Sequence, residues 1–433
     1  MSAVSTFRTP RLASVFLVVF VDLLGFSLIL PLLPYYAQSY SAGAALIGLL
    51  VASYAVAQLV GAPFLGRLSD RVGRRPVLLI SIFGTLVGFL ILAFAPVMGQ
   101  ALAERLGLGG ASGLVLAFLF LSRFLDGLTG GNISVAQAYI ADITDESNRA
   151  RGLGLIGAAF GLGFIIGPAV GGSLATFGYA VPAMAAAALS AISLLLVFLF
   201  LPESLNAARR AELAVRPRAS FSLSALRHAL RRPRLVPLLQ VRLFFGLGFA
   251  MFQTIFVLFA QGELGLEVQT TGFILAYVGL LAVAVQGGAI PWLARRVDEG
   301  RLIILSLGVM AISLFAWAVT PTLAALIIVA TPLAISGGIL HTVINSAISK
   351  AVGPDEVGGT LGLSASLESL SRIVAPVFGA WLLQDVGAWA PGVVCGLLLA
   401  WTTLFAVRRI PDRRFDLPPA EASEAPAMVE PVV

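Results

Sequence analysis

Twelve stretches of this chain each run for about 18 to 25 residues with scarcely an ionisable side chain, long enough for a helix to cross a lipid hydrocarbon core. They centre near residues 24, 55, 87, 127, 165, 191, 248, 280, 311, 335, 370 and 399. The composition agrees. The 433 residues are 58% hydrophobic and 12% charged, against roughly 25% charged in soluble domains. A soluble fold of this length could not bury so much apolar surface. The predicted fold is therefore an all-α integral membrane protein with twelve transmembrane helices.

Arg8 and Arg11 precede the first run, as in a signal peptide, but the run is too long for one and no small-residue cleavage site follows, so it reads as a retained helix. Nearly every Lys and Arg falls in the tails or in the loops at 66–76, 142–151, 202–234, 291–301 and 349–358, which a twelve-span count places on one side. Arg105 is the exception among loop residues, so the positive-inside rule puts both termini in the cytoplasm. The basic balance then reports topology and contact with anionic lipid, and no nucleic-acid partner is expected. A single cysteine, Cys395, excludes disulfides and thiolate metal sites. No metal and no cofactor is expected, and no Walker loop suggests ATP as energy source.

The stretch 202–234 carries eight arginines and divides the spans six and six. It reads as a cytoplasmic linker, either lying partly on the membrane surface or simply tolerated. The halves resemble one another. "LTGGNISVAQAYI" and "GLGFIIGPAVGG" in the first echo "ISGGILHTVINSAI" and "SLSRIVAPVFGA" in the second, and "VDLLG" around Asp22 is matched by "VRLFFG" around Arg242. The predicted organisation is a first six-helix half at 1–201, the linker at 202–234, a second half at 235–407 and a tail at 408–433. Two such pseudo-symmetric six-helix halves suit a transporter in which one half rocks against the other.

Between the second and third spans stands "GRLSDRVGRR", with Gly66 and Gly73 permitting a tight turn and Asp70 set among Arg71, Arg74 and Arg75. The pattern resembles the signature loop of the major facilitator superfamily. "LFLSRFLDGLTG", with Arg123, resembles that superfamily's intramembrane arginine motif. "GFIIGPAVGG", with Gly163, Gly167, Pro168, Gly171 and Gly172, matches its antiporter motif. Within the superfamily, "GFSLILPLLPYY" and "AYIADITDESNRARGLGLIGAAFGLG" look most like the tetracycline/proton antiporters and related drug exporters. The resemblance implies the major facilitator fold, a bacterial inner membrane, and a cytoplasmic gate in which Asp70 faces the start of the eleventh span near Gly359. In the repeated loop of the second half Arg295 stands where the Asp would be, which implies an asymmetric gate.

Six ionisable residues other than histidine lie inside the spans: Asp22, Arg123, Asp126, Arg242, Glu368 and Arg372. Charge at the bilayer centre costs about 2.5–3.5 kcal/mol even on lenient scales, so each needs a partner, water or a role. Arg123 with Asp126 (i, i+3) and Glu368 with Arg372 (i, i+4) can pair along one helix. Asp22 can meet Arg242 across the axis, or equally Arg123. Either the charges only fix packing, or they couple proton movement to transport. On the second reading Asp22 is the leading protonation site, with Asp126 and Glu368 as further candidates and Arg123, Arg242 and Arg372 as charge partners.

Asn132, Gln137, Gln253, His341 and Asn345 are candidate substrate contacts, though a lone histidine such as His341 is more often a packing residue. Phe26, Phe244, Phe245 and Phe249 suit a pocket for a large flat compound, with lipid contact or packing as the plainer alternative. The expectation is no enzyme but a monomeric, proton-coupled exporter of a hydrophobic drug or metabolite, its partners a small-molecule substrate, protons and the bilayer. A uniporter or symporter of a small nutrient, and a non-transporting sensor or scaffold, are the alternatives.

Overall fold

Proline and paired glycines decide where the apolar runs become continuous helices and where they break. The computed structural model describes residues 9–144, 146–205, 210, 232, 234–293, 295–353 and 357–410. Most of the expected linker and tail lies outside the described residues. Among those described, every regular element is helical.

The first span is two helices, α1 (Thr9–Ile29) and α2 (Leu32–Gln38), separated at Pro31, which brings no N–H to the ladder. α3 (Ala44–Val72) and α4 (Arg74–Arg105) follow. The fourth span breaks into α5 (Ser112–Thr129) and α6 (Asn132–Ile143) at Gly130 and Gly131. α7 (Glu146–Ala175) and α8 (Ala180–Phe200) complete the first half. The second half begins with α9 (Leu235–Gly262) and α10 (Val268–Ala284), which continues through a π-helical turn at Val285–Ala289 into α11 (Ile290–Leu293). α12 (Glu299–Ala318), α13 (Leu323–Lys350), α14 (Val357–Trp381) and α15 (Ala390–Arg409) complete it.

Among the described residues eleven spans are long and apolar enough to cross a membrane. The twelfth is α14, which falls outside that set because Glu368, Arg372 and Ser364, Ser366, Ser369 and Ser371 interrupt its apolar sequence. All twelve expected centres thus fall on helices. Large apolar side chains such as Phe64, Phe83, Ile312 and Ile328 are exposed on the outside, as a lipid solvent requires.

Within the first half α1 packs on α7 and α8, and α5 on α3 and α4. Within the second, α9 packs on α14 and α15, and α12 on α13 and α15. The halves meet through α7 against α10 and α3 against α14. These are the fifth span on the eighth and the second on the eleventh. A twofold operation that advances each span by six converts one interface into the other.

The glycine motif of α7 makes two of these contacts possible. Gly163, Gly167 and Gly171 face Leu23, Ser27 and Leu28 of α1, and a Cβ at Gly167 or Gly171 would overlap Ser27 or the Leu28 carbonyl. Ser27 Oγ donates to the Gly163 carbonyl at 2.8 Å. On its other side Gly172 meets Val268, and the Pro168 carbonyl meets Gly272. Small residues here let backbones touch, the usual basis of helix association in lipid.

Candidate functional site

Three groups of polar residues lie at different depths along the bundle. At the arginine-rich end, Gly73 adopts φ +122°, in the region that favours glycine, and joins α3 to α4. Asp70 and Arg74 are 2% and 4% exposed and form an ion pair. Arg74 also donates to Asp142 at 2.9 Å and to Ser69 at 2.7 Å. Glu203 accepts from the backbone N–H groups of Arg74 and Arg75 at 2.9 and 3.2 Å, capping the otherwise unsatisfied start of α4. Arg75 reaches the Phe198 carbonyl at 2.6 Å, while Arg71 is exposed.

Among the described residues these contacts of the loop lie within its own half. Asp70 was expected to face the start of the eleventh span. Asp70 is buried against Arg74, and Gly359 is exposed with nothing within 4 Å of a Cβ there, while residues 354–356, just before that span, lie outside the described residues. Gly66 also borders open space. The opposite end joins the halves. Tyr35 donates to the Leu266 carbonyl at 2.9 Å and shares a 2.7 Å bond with Thr271, the Ala45 N–H donates to Gln384 at 3.1 Å, and Gly48 packs against Pro376 and Ala380.

At mid-depth in the first half, Arg123 and Asp126 form the expected pair at 3.2 Å, each side chain 4% exposed. The Arg123 guanidinium lies 5.4 Å from the centre of the Phe89 ring, a cation–π contact. Asp22 meets neither expected partner. It accepts a hydrogen bond from Asn132, and the two line a small pocket with Val18, Leu78, Ile82 and Ile133 between α1, α4 and α6. The helix break supplies that amide, because Gly130 and Gly131 end α5 and Asn132 starts α6. Gln58 fills the break, donating to the Gly130 carbonyl at 3.2 Å and to the Tyr54 hydroxyl at 3.0 Å.

In the second half, Arg242 is 3% exposed and donates to Glu368, so the expected contact of Arg242 with Asp22 is absent because a carboxylate of its own half takes the guanidinium. Glu368 also accepts from Arg372 at 2.6 Å, as its i, i+4 spacing suggested. The Arg372 side chain is 53% exposed and that of Glu368 26%. His341 is exposed and lies within electrostatic reach of Glu368, Arg242 and Arg372. Tyr54 of the first half lies within electrostatic reach of Asp22, Arg123, Asp126 and, on the second half, Arg372.

The other candidates divide. Phe26 is half-buried and lies beside Tyr54 and Phe164, with ring centres 5.2 and 6.5 Å away. Gln137 and Gln253 are exposed, and Gln253 shares the face of α9 that carries Arg242, being eleven residues on. Asn345 has a long 3.5 Å contact with Ser364. Phe245 is buried and stacked on Phe249, and Phe244 packs edge-on against Trp401, so these two follow the plainer packing reading. Tyr54, Gln58, Asp142 and Glu203 are the residues that sequence reasoning missed. The i, i+4 spacing of Tyr54 and Gln58 in an apolar span, and the Gly130–Gly131 pair, were the available signals.

Comparison with known proteins points the same way. The chain is 30% identical over 404 residues to the class E tetracycline resistance protein of Escherichia coli, covering 90% of this chain and 92% of that one. It is 27% identical over 382 residues to multidrug resistance protein 2 of Bacillus subtilis (strain 168), covering 88% and 90%. The solved structure of a D-xylose–proton symporter superposes with a TM-score of 0.71 at 18% identity, over 95% of this chain and 99% of that one. A sequence model of the Major Facilitator Superfamily matches residues 15–376 and again 290–431. With the symmetric pair of inter-half contacts and the buried Asp70–Arg74 loop, that match across the chain places the protein in the major facilitator superfamily.

Proposed function

We propose that this protein is a proton-coupled exporter of a hydrophobic drug or metabolite, exchanging it for protons by rocker-switch alternating access in a bacterial inner membrane with both termini cytoplasmic. The observation that carries the reading is Asp22. Of the three mid-span acids it is the one whose described partner is a neutral amide, whereas Asp126 and Glu368 are held by arginines. Protonating Asp22 therefore breaks no ion pair, while protonating the others strands a guanidinium. The resistance named in the tetracycline and multidrug relatives supports export. The joined end and the exposed Arg372 and His341 within the spans suit one state of alternating access, open toward the arginine-rich side.

Uniport or symport of a nutrient is favoured by a different observation, that the Arg123–Asp126 and Arg242–Glu368 pairs are closed and need no further role. Proton release from detergent-purified protein on adding candidate drugs separates the two. Release in the wild type that is lost in Asp22→Asn is the expected result. Release unaffected by Asp22→Asn removes Asp22 from coupling, and absence of release with every compound defeats the exchange reading.

A further inference from the structure

The mid-span charges of the two halves are unequal. In the first half Arg123 and Asp126 neutralise each other in a buried pair, and Asp22 sits in its own pocket behind Asn132. In the second half two guanidinium groups share the single carboxylate of Glu368. Arg242, buried at 3% exposure, has Glu368 as its counter-charge and could not remain buried without one. Arg372 is therefore left with surplus positive charge, and its side chain is 53% exposed at mid-span with His341, also exposed, nearby. On α3, the first-half helix that packs on α14, stands Tyr54 with Phe26 and Phe164 as an aromatic group, and Tyr54 lies within electrostatic reach of Arg372.

We propose that Arg372 and His341 form an anion subsite, and that the transported compound is an amphipathic organic anion whose carboxylate or sulfonate lies on Arg372 while its aromatic body lies against Phe26, Tyr54 and Phe164. The inference rests on the transport reading and narrows its substrate class. The planar fork of arginine suits a carboxylate or sulfonate, and the accessible edge of Arg372 can take one while Glu368 stays with Arg242. A ligand cation at this place would meet a wall with net positive charge.

Three probes of one size test it: naphthalene-2-sulfonate, neutral 2-methoxynaphthalene and the 2-naphthyltrimethylammonium cation, bound by equilibrium dialysis to the full chain in lipid nanodiscs. The sulfonate is expected to bind tightest. Arg372→Gln should weaken it by about tenfold or more, the scale of one charge-assisted hydrogen bond, with little effect on the neutral probe. Arg372→Lys should restore much of the loss, which a merely structural role for the Arg372–Glu368 pair would not produce in the sulfonate alone. Sulfonate binding that is absent, equalled by the cation or indifferent to Arg372→Gln in monodisperse protein overturns the proposal. Proton release with Asp22→Asn scores the transport reading separately, so either can fail alone.

Discussion

Asp126→Asn changes one oxygen to nitrogen and tests what the buried pair in the first half does. In the wild type the Arg123 guanidinium and the Asp126 carboxylate are 3.2 Å apart at 4% exposure each. The variant leaves Arg123 buried without its counter-charge, a change that typically costs about 3–5 kcal/mol. The Phe89 contact at 5.4 Å is present before and after the substitution, so it does not offset the loss. The folded-to-unfolded ratio should fall by more than about a hundredfold. Replacing both partners by apolar residues, Arg123→Met with Asp126→Leu, removes the stranded charge and should recover most of the stability. Unfolding by denaturant in mixed micelles, followed by far-UV circular dichroism, measures both. All five tryptophans lie at or beyond Trp292, so their fluorescence would miss changes confined to the first half. An Asp126→Asn protein as stable as wild type, or a double variant no better than the single, would refute the account of the pair as a mutually dependent buried ion pair.

The other predictions concern packing and the two ends. Gly73→Ala should cost about 2 kcal/mol, because φ +122° penalises an L side chain and the new Cβ displaces the Glu203 carboxylate from the start of α4. The same unfolding assay should then show Glu203→Gln adding less in that background than alone. Gly167→Ala has no space against Ser27 and should destabilise by more than about 1 kcal/mol, whereas Gly157→Ala, with nothing within 4 Å, should be neutral or slightly stabilising. Equal effects of the two would argue against close α1–α7 contact. Tyr35→Phe removes the bonds to Leu266 and Thr271 and should weaken the joined end by about 1 kcal/mol, roughly fivefold in opening. Thiol labelling of Gln269→Cys in a Cys395→Ser background reads that opening as a faster rate.

Positions along the chain were legible in the sequence, and partners mostly were not. Each span announces itself because crossing lipid demands an unbroken apolar run, and the two pairs at i, i+3 and i, i+4 are fixed by helix geometry alone. Asp22 and Arg242 are different: their partners lie on other helices, where a small rotation changes which neighbour is reached. The break between α5 and α6 matters most here. It turns Asn132 toward Asp22, and only the Gly130–Gly131 pair hinted that an apparently continuous span would divide. Asp142 and Glu203 give no such signal, since nothing in their spacing shows that Arg74 meets one with its side chain and the other with its backbone N–H.

The repeat explains why some transfers between the halves succeed and others fail. Gly163, Gly167 and Gly171 of α7 serve a backbone-to-backbone contact, which depends on shape, and the α7–α10 and α3–α14 interfaces obey the same twofold relation. Asp22 and Arg242 also occupy matched places, yet one faces a neutral amide and the other a carboxylate. A packing interface keeps its form when side chains of similar size are exchanged. An ion pair does not, because its partner must carry the opposite charge and that partner arises separately in each half. The symmetry of this molecule therefore resides in its helix contacts, and its mid-span chemistry is asymmetric: a carboxylate free of arginine in the first half, and an arginine with surplus charge in the second.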